Sequence, residues 1–133
     1  MDTDKQARAI KDPRVLLSSL WIIVMINMLK ADILSLFIPG VMDEMNKFAG
    51  STPIPQLMLA GAIMMELSIV MIVLSRVLSY RLNRWANIIV SIITIVFIWG
   101  GASSYPHYYF IATVETICLL LIIWNAWTWK LDY

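Results

Sequence analysis

The sequence predicts an all-α, four-transmembrane-helix bundle, and three observations carry that prediction. Of its 133 residues 60% are hydrophobic and only 14% are charged, where a soluble domain has about half and about a quarter. Four continuous apolar stretches approach the roughly 20 residues that cross about 30 Å of hydrocarbon: Leu16–Phe37, Leu57–Leu78, Trp85–Trp99 (extendable to Gly101) and Tyr108–Trp127. Lys and Arg crowd the ends of these stretches on one side only. The strands of a membrane β-barrel are short and alternating, whereas a run such as IIVSIITIVFIWG is unbroken. A net charge of +1 and a single cysteine exclude a nucleic-acid binder and a disulfide-stapled module.

Taken in order, a tail with Lys5, Arg8, Lys11 and Arg14 precedes the first span, which Pro39-Gly40 closes. Val41, Met42, Met45 and Phe48 then share one helical face, opposite Asp43, Glu44, Asn46 and Lys47. That spacing predicts a short amphipathic helix in the first outer loop, parked at the interface or acting as a lid. Pro53 and Pro55 stand before the second span, where a missing N–H is tolerated. Arg76, Arg81 and Arg84 bracket the next connection, and Gly100-Gly101 with Pro106 separate the third span from the fourth. No linker, repeat or low-complexity tract interrupts residues 1–133, so one integral membrane domain is expected.

Orientation follows from the same charges. The tail, the three arginines and Lys130 put eight of the ten Lys and Arg on one side; Lys47 stands alone on the other and Lys30 lies within a span. The excess marks the cytoplasmic face, so both termini are expected inside a multi-pass protein of the cell membrane. Tyr80, Trp85, Trp124, Trp127 and Trp129 fall near the inner interface, and Trp99, Tyr105, Tyr108 and Tyr109 near the outer one. A cleaved signal peptide would have a shorter apolar run and a small-residue cleavage site.

Ionisable groups in hydrocarbon are costly enough to be candidate functional residues. Lys30, Asp32, Glu66 and Glu115 qualify. At 1.5 Å per residue they lie about 10, 7, 13 and 10 Å from the outer span ends, one common level in the outer half. Lys30 and Asp32 are about 200° apart on their helix and cannot share a face, whereas Asn27 and Lys30 can. Lys30 is therefore expected to reach Glu66 or Glu115, with Asn27 as an orienting partner. The summed charge of −2 asks for a proton, a cation or a cationic ligand in a dry site. Plainer alternatives are snorkelling for Lys30, a solvated capping role for Asp32 and interhelical hydrogen bonding for the two glutamates.

Asn87, Ser91 and Thr94 form one polar stripe, read as interhelical glue or as a polar path inward, and Gly61-Ala62 invites close helix approach. His107 sits in an aromatic loop that reads as an interfacial anchor, and Cys118 as inert packing. The nine Met read as gap-filling core residues. No metal-ligand spacing, phosphate-cradling loop, nucleophile elbow or cofactor motif is present, so the chain is not read as an enzyme. The sequence leads to a small-ligand or cation-binding membrane protein, with proton-coupled transport as its extension. The alternative is a non-catalytic accessory or scaffold subunit, and a homodimer or a membrane partner protein fits either.

The strings KADILSLFIPGVMDEM, RLNRWANIIVSII and YYFIATVETICLLLIIWNAWTWK carry a resemblance. With Asp32, Pro39, Gly40, Asn83, Arg84, Trp85, Asn87 and Glu115, they make the chain from about Arg14 to Lys130 similar to an uncharacterised family of short four-span prokaryotic membrane proteins. That family carries a domain-of-unknown-function label. The resemblance implies four helices in a prokaryotic membrane and no particular substrate. A looser likeness to DoxX-like membrane proteins is one of topology. Small multidrug resistance transporters are similar in length and span number, but their membrane Glu lies in the first span, and this first span has none.

Overall fold

A computed structural model of the chain describes residues 12–100 and 105–129. Lys5, Arg8, Lys11, Gly101 and Lys130, to which the sequence reading assigned orientation or boundary roles, lie outside the described residues. Five helices and no strand occur among those described: α1 Pro13–Ser35, α2 Val41–Ala49, α3 Ile54–Val77, α4 Tyr80–Gly100 and α5 Pro106–Thr128. All but α2 are long and apolar enough to cross a membrane.

Each long helix starts two to five residues earlier than its apolar run. Asp12 caps α1 by accepting the Arg14 N–H at 2.9 Å, and Pro13 supplies a pre-set first turn. Pro55 lies inside the first turn of α3 and Pro106 opens α5. Helix α4 begins five residues before Trp85, because the Ser79 carbonyl accepts the Asn83 N–H at 2.8 Å and the polar turn Arg81–Arg84 is already helical. The first span ends at Ser35, four residues before Pro39, in tightening turns over residues 34–38. Gly40 at φ +81° then redirects the chain into α2, and Gly50 at φ +59° releases it.

The four long helices close a ring in the order α1–α3–α4–α5, with α1 packed on both α3 and α5 and α4 on α5. Helices α3 and α4, although joined by only Leu78-Ser79, touch least. Apolar burial drives little association between helices already in lipid, so packing and hydrogen bonds carry the specificity. At the end holding the α3–α4 turn, fully buried Trp21 donates from Nε1 to Asn87 Oδ1 at 2.7 Å, and Ser75 donates to the same oxygen at 3.2 Å. The Asn87 amide donates to the Asn83 carbonyl and Oδ1 at 2.8 and 2.6 Å, and Asn83 donates to the Ser75 carbonyl at 2.7 Å. All four hydrogen-bonding positions of Asn87 are thus filled, and α1, α3 and α4 are tied together there. Ser18 extends the bonding, donating to the Ile72 carbonyl at 2.8 Å and accepting from Arg76 Nε at 3.0 Å.

Aromatic residues gather at both ends. Tyr80 meets Trp129 edge-on, Arg14 lies 5.4 Å over Trp129 and Arg84 5.1 Å over Trp127. At the other end Trp99 stacks on Tyr109 at 6.4 Å and donates to Thr116 Oγ1 at 2.9 Å.

Candidate functional site

The end opposite the Asn87 network is hollow. Two adjoining cavities of about 670 and 510 Å³ share walls from Asp32, Val41, Met45, Gly61, Phe97 and Tyr108. Together they make one cleft between the diverging ends of α3 and α4, backed by α1 and α5. Its deeper part reaches Met28, Met65 and Glu115; its outer part reaches Glu44, Phe48 and Tyr105.

The acidic groups enter from two helices. Asp32, near the C-terminal end of α1, lines both parts of the cleft. Glu115 is 3% exposed, lines the deeper part, and its Oε1 has no hydrogen-bond partner among the described residues. A buried polar atom left unpaired costs about 1–3 kcal/mol, so the position holds an unmet demand for a donor. Tyr108, two turns before Glu115 on the same face, commits its hydroxyl to the Ile98 carbonyl at 2.8 Å and presents its ring to the cleft. It is a half-buried wall residue of the cleft.

Helix α2 lines the outer part of the cleft with Val41, Met45 and Phe48, three of the four residues of its apolar face; Met42 does not line it. Tyr105 holds α2 by donating to Glu44 Oε1 at 2.7 Å. That bond to a carboxylate raises the phenol above the ordinary tyrosine value. The neutral phenol is the donor, so the tie is intact at neutral pH and is lost as pH rises through the raised value. His107 stacks on Tyr105 at 6.0 Å and lies 3.1 Å from Ser35 Oγ. Since Ser35 already donates to the Ala31 carbonyl at 2.8 Å, His107 is the donor, joining the end of α1 to the start of α5. Tyr105→Phe is expected to loosen α2, so that trypsin cleaves after Lys47 several-fold faster in detergent-solubilised protein, with the rest of the cleavage pattern unchanged.

The sequence-predicted residues divide. Asp32 and Glu115 line one cleft. Lys30 and Glu66 are exposed on the outside of the bundle, and Asn27 donates to the Ile23 carbonyl of its own helix at 2.9 Å. The 200° between Lys30 and Asp32 is what separates them. Gly61 does not mediate close helix approach: a Cβ there would meet nothing within 4 Å, because Gly61 faces the cleft. Within the polar stripe Asn87 is interhelical, Thr94 donates to its own Val90 carbonyl at 2.7 Å, and buried Ser91 Oγ has no partner among the described residues. Reading the methionines as core filler missed the cleft wall, which Met28, Met45 and Met65 help to form. Their clustering at the level of the acidic groups was the available signal, since flexible thioethers suit a variable occupant.

A protein-family model described as Family of unknown function (DUF6326) matches residues 8–133. No curated protein and no solved structure matches the chain.

Proposed function

We propose, for this chain, which belongs to the family of unknown function DUF6326, that it is a membrane protein binding a small amphiphile in the cleft: an apolar body with a cationic or N–H-donating head. The observation that carries this reading is the buried, unpartnered Glu115 Oε1 in a wall otherwise rich in Met and aromatic side chains. A head group donating to Glu115 would satisfy that oxygen, Asp32 would attract it at the mouth, and the Phe97, Tyr105 and Tyr108 rings favour a cation nearby. A large flexible apolar lining with few polar groups is the usual make-up of a small-molecule site.

Proton coupling is the extension of this reading. A proton and a cation compete for the same carboxylate oxygens, so arrival of one releases the other, which is the elementary step of exchange transport. Lys and Arg asymmetry supports an arrangement with both termini cytoplasmic and the cleft on the outer side of a prokaryotic cell membrane. Lys30, Glu66 and Asn27 do not line the cleft and are left out of this reading.

Binding of the lipophilic cation tetraphenylphosphonium to purified protein in lipid nanodiscs tests the site. Glu115→Gln is expected to weaken binding about tenfold or more, since it removes the attraction between a carboxylate and a cation that has no donor of its own, in a site of low dielectric. Gly61→Leu is expected to weaken it comparably by filling the cleft, with thermal stability kept or raised, because a helical Gly→Leu change is favourable by up to about 1 kcal/mol where space exists. Native mass spectrometry of gently extracted protein should show a non-lipid mass that both variants lose. Equal binding by all three proteins, and no such mass, would sink the reading and favour an accessory subunit instead.

A further inference from the structure

We infer that the outer faces of α1 and α3 form a contact between two copies of this chain, in which Lys30 of one copy pairs with Glu66 of the other. Both residues are exposed on the outside of the bundle. Each is a lone charge in an apolar field: Ile26 and Ile33 flank Lys30 one turn away, and Ile63 and Val70 flank Glu66 likewise, all exposed.

Their depth can be fixed from contacts between the helices. Ser68 Oγ lies 3.8 Å from Met28 Sδ, which sets the level at which antiparallel α1 and α3 meet. Lys30 is two residues beyond Met28 and Glu66 two residues before Ser68. Because the helices run in opposite directions, both steps lead toward the same end, about 3 Å past the contact. The two charges therefore share one depth. Two residues also turn each side chain about 200° from the α1–α3 contact. Lys30 and Glu66 point away from each other's helix, and a pair within one chain would have to reach around both.

Hydrocarbon is a poor surrounding for either charge, above all for the short Glu66 side chain, which cannot reach the interface. Helix α3 is also the least committed to its own bundle: 11% of its apolar window is buried, against 33–39% for the other three. A partner on either side must present an opposite charge at that depth to the residue it meets. Further copies do so, since the chain carries both members of the pair: the contact is head-to-tail, with Lys30 of each copy meeting Glu66 of one neighbour and its Glu66 meeting Lys30 of another. The surface is separate from the cleft, so the inference stands or falls independently of the ligand.

The test uses cysteine pairs in a Cys118→Ala background, reconstituted in phosphatidylcholine–phosphatidylglycerol vesicles. Differently tagged Ile33→Cys and Ile63→Cys chains, which keep both charges and place the thiols one turn beyond them, are co-expressed and treated with a short bifunctional thiol cross-linker. Cross-links joining the two different tags should dominate over those joining two Ile33→Cys chains. Single-molecule photobleaching supplies the second arm. Lys30→Glu and Glu66→Lys should each raise the dissociation constant roughly thirtyfold or more, as for truncating one partner of a buried charge pair. The double reversal Lys30→Glu/Glu66→Lys should return it to near the wild-type value, which also shows that the reversed chains fold. A wild-type protein that is monomeric in these vesicles, cross-links that join like tags only, or a double reversal no better than the single ones would overturn the inference.

Discussion

Asn87→Ala should cost the bundle about 3 kcal/mol, the largest loss expected of any polar substitution in the chain. Trp21 Nε1 and the Ser75 hydroxyl both lose their acceptor, and Asn83 loses the donors to its carbonyl and side-chain oxygens. Side-chain hydrogen bonds in membrane helices average only about 0.6 kcal/mol each, so four lost bonds account for roughly 2 kcal/mol. The Trp21 and Ser75 groups have no water or free backbone to turn to, because both are fully buried. Stranded donors and the small cavity supply the rest. Ser91→Ala, on the same helix face one turn away, should change stability by less than about 0.5 kcal/mol, since its hydroxyl has no partner to lose. Reversible unfolding in mixed micelles, or steric trapping in bicelles, gives both numbers. Equal effects of the two substitutions would mean that the network has no special role in holding α1, α3 and α4.

Glu115→Met runs in the opposite direction: a gain of about 2 kcal/mol in stability together with loss of tetraphenylphosphonium binding. Removing a buried polar group that lacks a partner and replacing it by an apolar side chain of similar shape relieves the desolvation penalty. Met suits the position because its unbranched chain follows the path of Glu and adapts to the Met-lined wall. The sign of the change is diagnostic. A carboxyl kept for binding should be costly to the folded protein, whereas a carboxyl acting as interhelical glue should be missed when it is gone. A drop in unfolding free energy for Glu115→Met would therefore assign Glu115 to structure.

How far the sequence could be read depended on which coordinate of a membrane helix was asked for. Length and depth were legible: every long helix lies where an apolar run lies, extended at its start by proline-containing first turns or, in α4, by a polar turn that looked like loop. Azimuth was harder. Hydrophobicity does not mark the inward face of a span, since lipid and core are both apolar. Grouping Lys30, Asp32, Glu66 and Glu115 by depth alone joined residues that point in different directions. Small and polar residues mark the face instead. Gly61, Ser68 and Ser75 recur every seven residues on α3, and Glu66 falls off that line. On α5 Tyr108, Ala112, Glu115, Leu119, Ile122 and Ala126 alternate steps of four and three, the seam of a left-handed bundle. That seam includes Glu115, whose inward position was thus readable. The cleft itself was not, because an empty space leaves no residue to announce it; the methionines gathered at one level and the absence of bulk at Gly61 were the hints.

The Asn87 network also acts as a fulcrum. Helix α3 is held to α1 and α4 around Ser75, while its far end borders open space at Gly61. From Ser75 to Gly61 is a rigid arm of fourteen residues, about 21 Å at 1.5 Å per residue. A tilt of about 5° at the fulcrum displaces the tip by roughly 2 Å, half the width of a methylene chain, without breaking a single bond of the network. A displacement of α3 at the network would therefore be felt at the mouth of the cleft, where side chains that never approach the occupant would set how wide a body it admits.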